Sequence, residues 1–208
     1  MTTGTKIDLT KSLDGYRART AEFRLVDLPA SRYLAIDGHG DPNTAPAYAE
    51  TLETLYPVAY ALKFASKREL DRDYVVPPLE GLWWADDMDA FTTARDKSRW
   101  DWTMLILIPE WIDDALVDAA VATVRAKKAP PRLDDLRILP LSEGLCMQTL
   151  HVGSFDDEAP LLERLHDEVI PGQGLRLAGL HHEIYLSDAR RVAPEKRRTI
   201  LRQPVAPA

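Results

Sequence analysis

The sequence predicts an α+β fold made of two similar halves, and three observations carry that expectation. The order strand–helix–strand–strand reads twice along the chain. A strand at residues 100–108 is apolar on both faces beyond Thr103, so both of its sides need cover. No long Ser/Gly linker divides the chain, so the halves must pack closely. Its 208 residues suit one large domain or two small ones. With 45% apolar and 28% charged residues the composition is that of a folded globule. We read 1–208 as a single domain, with a first module at 25–112 and a connecting helix plus second module at 113–205.

The first 24 residues are polar, carry Gly4 and Gly15, and read as a tail or surface strap. A first strand is expected at 33–38, closed by the turn-rich run Gly38-His39-Gly40-Asp41-Pro42-Asn43. Tyr48, Leu52, Leu55, Ala59 and Leu62 recur at helical spacing across 46–65. Pro57 falls inside that stretch and predicts a kink or two abutting helices. Residues 74–84 read as a strand bent by Pro77-Pro78, and 88–99 as a charged connection with room for a short helix. A helix over 113–128 opens on acids, closes on Lys127 and Lys128, and is stopped by Pro130-Pro131.

The second half follows the same order. A strand at 145–152 leads through a turn at 153–157 into a helix at 157–170. Leu161, Leu162, Leu165 and Val169 are its expected inward residues, and Pro171-Gly172 ends it. Strands follow at 180–186 and 199–203, and Gln203 to Ala208 is expected to trail into solvent. Gly38 aligns loosely with Gly153 and Asp41 with Asp156. Glycine and aspartate favour any strand-to-helix turn, so the repeated element order is the better part of the case.

Several function classes are disfavoured. A net charge of -7 argues against coating nucleic acid or anionic lipid. The single cysteine, Cys146, excludes an internal disulfide and multi-cysteine metal sites, and reads as a small buried hydrophobe. No apolar core of a secretory signal follows Met1, and the apolar segment at 103–109 is far short of the ~20 residues a membrane helix needs. A soluble cytoplasmic protein is the expectation. His181 and His182 face opposite sides of a strand, so they cannot share a metal, and no metal is expected. Gly38-His39-Gly40 lacks the spacing of a nucleotide-binding loop, and no cofactor is expected. The run from Pro194 to Arg198 is a solvated turn, too short for a nucleic-acid stripe.

Chemistry concentrates in Gly179-Leu180-His181-His182-Glu183-Ile184-Tyr185-Leu186. Strand alternation sends His182, Ile184 and Leu186 one way, and His181, Glu183 and Tyr185 the other. The Ile/Leu side is expected under the helices. Parity alone leaves the opposite face wet and Glu183 one more solvated carboxylate. The five tryptophans, Trp83, Trp84, Trp100, Trp102 and Trp111, fall within 29 positions. Such a cluster is ordinary core in the commoner case, and a stacking wall for flat or cationic ligands in the other.

Longer pieces carry a resemblance. They are Gly38-His39-Gly40-Asp41-Pro42-Asn43, Leu79-Glu80-Gly81-Leu82-Trp83-Trp84, Trp100-Asp101-Trp102-Thr103 and Met147-Gln148-Thr149-Leu150-His151-Val152-Gly153 with Asp156-Asp157-Glu158. His181-His182-Glu183-Ile184-Tyr185-Leu186-Ser187-Asp188 and Pro194-Glu195-Lys196 leading to Arg198-Thr199-Ile200-Leu201-Arg202-Gln203-Pro204-Val205 complete the set. Together they resemble the GyrI-like small-molecule-binding proteins, in their stand-alone branch. The resemblance implies two modules related by a pseudo-two-fold, an antiparallel sheet with helices on one side, and a central ligand cleft on the other. It implies an aromatic-walled pocket with an acid from the second module. Carried onto this chain, Glu183 and Tyr185 are the expected catalytic residues, with Trp84 and Trp102 as the chosen walls. Trp83, Trp111, Tyr33, His39, His181 and Glu80 are the further expected ligand contacts.

Some family members bind bulky aromatic cations as transcriptional sensors, and others resemble hydrolases that open the strained cyclopropane of cyclopropanoid cyclohexadienone genotoxins. Sensors fuse the domain to a helix-turn-helix, and with only about 30 residues ahead of the first expected strand, direct DNA binding is not expected here. Three functions stay open. One is a hydrolase in which Glu183 activates water and Tyr185 donates to the substrate carbonyl. A second is a binder of hydrophobic cations with Glu183 as counter-charge. The third is a protein-interaction module such as a gyrase inhibitor.

Overall fold

The computed structural model describes residues 6–85 and 96–208. The first half holds β1 (Arg24–Leu28), β2 (Ser31–His39), β3 (Leu79–Trp84) and β4 (Asp101–Ile108), preceded by a one-turn helix α1 (Leu9–Ser12). Between β2 and β3 lies α2 (Pro46–Glu69), and after β4 comes α3 (Asp114–Lys128). Next come β5 (Arg137–Leu141), β6 (Gly144–Val152), the helical turns α4 (Ala159–Glu163) and α5 (Ile170–Gly172), β7 (Leu175–Leu177), β8 (His181–Tyr185) and β9 (Arg198–Pro207). The nine strands of the described residues join one sheet in the order β1-β6-β9-β8-β3-β4-β2-β5, with β7 paired to β9. Every ladder in it is antiparallel. The fold is α+β, as the sequence predicts. No helix among the described residues is long and apolar enough to cross a membrane.

Alternation along the strands produces two differently covered faces. On the first, Leu34, Ile36, Leu79, Trp83, Met104 and Ile106 pack with Leu55, Val58 and Leu62 of α2 and Val117 and Ala120 of α3. Farther across that face, Met147 and Val205 pack with Leu165 and Ile170. On the second face, Tyr33, Ala35, Leu82, Leu105, Ile184 and Ile200 pack against Leu9 and Tyr16 of the N-terminal segment.

This division corrects several expectations. The N-terminal segment is a strap and no tail: Leu9 and Tyr16 are buried, and they cover apolar sheet that water would otherwise meet. Because that segment covers the Ile184 and Leu186 side of β8, the helices take the other side, and Glu183 stands beneath them. Residues 203–207 do not trail into solvent but extend β9 between β6 and β7. Pro204 lacks a donor, yet its carbonyl accepts from Ala178 N at 2.9 Å.

Three other elements differ in extent. Helix α2 continues through Pro57 as one element, because Leu55, Val58 and Ala59 on either side of it are buried. Tertiary packing outweighs the lost backbone bond there. Pro77-Pro78 keep residues 74–78 out of the ladder, so β3 starts only at Leu79, and Tyr74 makes a lone bridge with Ile7. The helix expected over 157–170 is α4, a π-helical turn (Arg164–Val169) and α5 in succession. Within it Leu165 is fully buried, whereas Leu161, Leu162 and Val169 are only half-buried. Most of the connection expected at 88–99 lies outside the described residues, and Lys97–Arg99 form one 3-10 turn.

Candidate functional site

Strands β3 and β8 lie side by side in mid-sheet, and their first face is the floor of a cleft. Tyr48, Leu52 and Tyr56 of α2 line one wall, and Phe155, Glu158 and His166 line the other. Register brings Gly81 opposite Glu183, Leu79 opposite Tyr185 and Trp83 opposite His181. Gly81 leaves room over the floor, and the Trp83 indole folds back into it. A Cβ at position 81 would lie 2.8 Å from Trp83 Nε1 and 2.7 Å from Met104 Cε.

A chain of hydrogen bonds crosses this floor. Trp83 Nε1 donates to the Tyr185 hydroxyl at 2.9 Å, which donates to Glu183 Oε2 at 2.8 Å. His181 Nε2 stands 3.5 Å from Glu183 Oε1. Trp100 meets Trp83 edge-on with ring centres 5.7 Å apart, and Phe155 meets Tyr185 in the same manner at 5.7 Å. One carboxylate oxygen is therefore fixed by a phenol, and the other faces an imidazole. The Glu183 side chain is only 14% exposed.

The surrounding groups are held largely uncharged. Burial, reinforced by Glu183, pushes the Tyr185 phenol well above its ordinary range. Burial also raises the Glu158 carboxyl to about 10, with the nearby negative charge of Glu183 adding to it. His166 is lowered to about 4 by burial and then by His181. The Cys146 thiol, buried away from this site, is pushed up to about 12 by desolvation and is unreactive there.

The expected site residues divide by strand parity. His181, Glu183, Tyr185 and Trp83 come together on the floor. Trp84 packs with the cluster around Leu82 on the second face and, as the last residue of β3, also lines the cleft. Trp102 shares the first face but is core: its ring lies over Gly38, touches Tyr48 edge-on at 5.3 Å, and donates to the Gly40 carbonyl at 3.1 Å. Trp111 donates to Ser66 Oγ at 3.1 Å beside Tyr74, near the C-terminal end of α2. His39 is exposed and pairs with Asp101 at 2.8 Å. Tyr33 and Glu80 are buried on the second face.

Glu80 belongs instead to a buried polar network behind the floor. Tyr16 donates to Glu80 Oε1 at 2.6 Å, and His182 Nε2 lies 3.0 Å from Glu80 Oε2. The other His182 nitrogen pairs with Glu143 at 2.9 Å, and Arg202 joins Glu143 at 3.0 Å. Arg202 also donates to Gln148 Oε1 at 3.0 Å and to the Gly15 carbonyl at 2.7 Å. Two acids face one arginine and one histidine, so protonation of His182 balances the charge. Adjacent residues of β8 thus serve separate tasks, His182 behind the sheet and Glu183 in the cleft.

Sequence reasoning carried Trp100 only as one of the five clustered tryptophans and missed Tyr48, Tyr56, Phe155, Glu158 and His166 as site residues. Tyr48 was legible as a helix-face residue; which face looked onto β8 depended on where the N-terminal segment packs. Among the described residues, no group of three His, Cys, Asp or Glu side chains is arranged to hold a metal ion.

The architecture has relatives of known structure. An uncharacterized conserved protein from Listeria innocua is similar at 34% identity and a TM-score of 0.87, covering 97% of this chain and 100% of that one. A hydrolase from Listeria innocua is similar at 33% identity and a TM-score of 0.83, with the same coverage. The C-terminal domain of EcmrR shares the fold alone, at 9% identity and a TM-score of 0.53, covering 90% of this chain and 98% of that one. No curated protein sequence matches significantly. The profile of the GyrI-like small molecule binding domain matches residues 21–206, and with the antiparallel sheet and the cleft over β3 and β8 in place, the chain belongs to the GyrI-like family.

Proposed function

We propose that this GyrI-like protein is a cofactor-free hydrolase that opens an activated cyclopropane in flat aromatic electrophiles of the cyclopropanoid cyclohexadienone type. The observation that carries this reading is the Trp83–Tyr185–Glu183 hydrogen-bond chain at the floor of an aromatic-walled cleft. The flat substrate slides between Tyr48 and Tyr56 on one side and Trp83, Trp100 and Phe155 on the other. Both modules, 25–112 and 113–205, contribute a wall and a floor strand. Tyr185 anchors Glu183 Oε2, leaving Oε1 to accept a proton from water. The water oxygen bonds to the cyclopropane methylene as the strained ring bond breaks, and the electron pair flows to the conjugated carbonyl oxygen. A positioned base supplies about 10²–10⁴-fold, and strain release contributes the rest of the driving force. Support also comes from the Listeria innocua relative called a hydrolase, which this chain matches over its whole length.

A second reading, a binder of hydrophobic cations, is favoured by the same buried carboxylate among aromatic rings. Incubation of a cyclopropanoid alkylator with catalytic amounts of protein separates the two. Product carrying one added water in molar excess over protein supports the hydrolase. Stoichiometric sequestration without product supports the binder, and an alkylator left free and unchanged contradicts both.

A further inference from the structure

We propose that Glu158 is the second ligand-contacting carboxyl of the cleft: its Oε1 hydrogen-bonds an acceptor oxygen on the ligand and, in turnover, gives that oxygen its proton. This inference rests on the hydrolase reading for the turnover step only; the donor contact stands without it. The geometry is specific. Glu158 is 4% exposed, yet its Oε1 has no hydrogen-bond partner among the described residues. Leaving a buried carboxyl oxygen unpaired costs about 1–3 kcal/mol, a cost a bound ligand relieves. The side chain lines the cleft wall three residues after Phe155, which meets Tyr185 edge-on.

The neighbours decide its protonation. Glu183 and Asp156 favour its proton, the Thr199 hydroxyl and Lys97 oppose it, and Tyr185 stands nearby. Lys97 pairs with Asp156 at 2.9 Å, so its charge is partly spent. Two carboxylates in one desolvated cleft cannot both ionise cheaply, and the more buried one keeps its proton. The raised pKa of Glu158, about 10, agrees with that ordering. Tyr185, the other candidate donor, already donates its hydrogen bond to Glu183. Glu158 is the acid left over.

The proton inventory of the reaction then closes. Water's oxygen bonds to the cyclopropane carbon while the ring bond breaks, and water's proton passes to Glu183. The released electron pair reaches the carbonyl oxygen, which takes the Glu158 proton and becomes a phenol. Glu183 ends protonated and Glu158 ionised, and one proton exchanged through solvent restores both. The ligand class follows: flat aromatic compounds with a neutral acceptor oxygen, ketones above all.

The test compares 9-fluorenone with fluorene, which differ by the carbonyl oxygen, in tryptophan-quenching titrations. The wild-type protein should bind the ketone about tenfold more tightly, one net hydrogen bond's worth. Glu158→Leu should bind both alike, while Glu158→Gln keeps the preference through its amide N–H. Equal affinities in the wild type, or a preference surviving in Glu158→Leu, overturns the proposal. If Glu158→Leu does not fold, the infrared carbonyl stretch of a protonated carboxyl decides: present in the wild type at neutral pH and lost in Glu158→Gln, or else the proposal falls. A ketone preference governed by Glu158 in a protein that never turns over the alkylator would sink the hydrolase reading and leave the donor contact standing.

Discussion

Replacing Gly81 by alanine should unseat the hydrogen-bond chain of the cleft without touching any of its members. The new methyl would lie 2.7 Å from Met104 Cε, 2.8 Å from Trp83 Nε1 and 3.2 Å from Trp83 Cε2. Met104 is fully buried, so its methyl has little room to retreat, and the Trp83 indole must rotate away from Tyr185. Overpacking of this kind costs about 1–3 kcal/mol, and the lost indole bond adds about 0.5–1.5 kcal/mol. For a chain of this size the sum lowers the melting temperature by roughly 3–18 °C. Circular dichroism melts measure it, and tryptophan emission should shift in the folded variant as the indole changes partner. Trp83→Phe isolates the smaller contribution, since it removes the donor without crowding the floor. A Gly81→Ala protein melting within about 2 °C of wild type, with unchanged emission, would refute the placement of Trp83 over Gly81.

Gly38→Ala should cost roughly 3–5 kcal/mol, the scale of losing a buried tryptophan, because its Cβ would fall 2.0 Å from the Trp102 ring; a wild-type denaturation midpoint would contradict this. Tyr185→Phe should destabilise by about 1–3 kcal/mol, since it strips a hydrogen bond from a largely buried carboxylate; an unchanged melt would remove that bond from the account. Stability should also depend on pH through the network behind the floor. Burial pushes the Glu143 carboxyl up, but His182 and Arg202 outweigh it and bring it to about 2, below its ordinary 4.5. Its stabilisation, on the order of 3 kcal/mol, is whole above about pH 4.5 and lost as pH falls toward 2. Burial alone would lower His182, but Glu143 and Glu80 raise it above 6.5, so its contribution is whole below that value and fades as pH rises through the folded one. Melts should peak between roughly pH 4.5 and 6.5, and Glu143→Gln should flatten the acid side; stability climbing steadily from there into alkali would contradict the network.

Much of this was legible in the residues. Alternation in His181-His182-Glu183-Ile184-Tyr185 correctly separated the groups now found in the cleft from those behind the sheet. The same parity, applied to Glu80-Gly81-Leu82-Trp83-Trp84, would have chosen Trp83 over Trp84 once Gly81 was paired with Glu183, but pairing is a tertiary fact that no single strand contains. Which face the helices cover depended on Leu9 and Tyr16, two apolar anchors in a segment whose overall polarity reads as a tail. The strand at Arg24–Leu28 hid for a related reason, since charged Arg24 and Asp27 flank Leu25 and Val26 and break the alternation at the edge of the sheet. Glu158 was legible only as an acid ahead of a helix, the commonest place for one. Its burial comes from the wall it forms with Phe155 and His166, which local pattern does not report.

The central claim is that Glu183 acts as a base on water, and turnover of a cyclopropanoid alkylator by Glu183→Gln tests it most directly. The substitution keeps size and most hydrogen bonding while removing the base. Ring opening should fall by at least ~10²-fold, with the affinity for a neutral planar ligand such as fluorene nearly unchanged. Wild-type rates of water addition in Glu183→Gln would contradict the account.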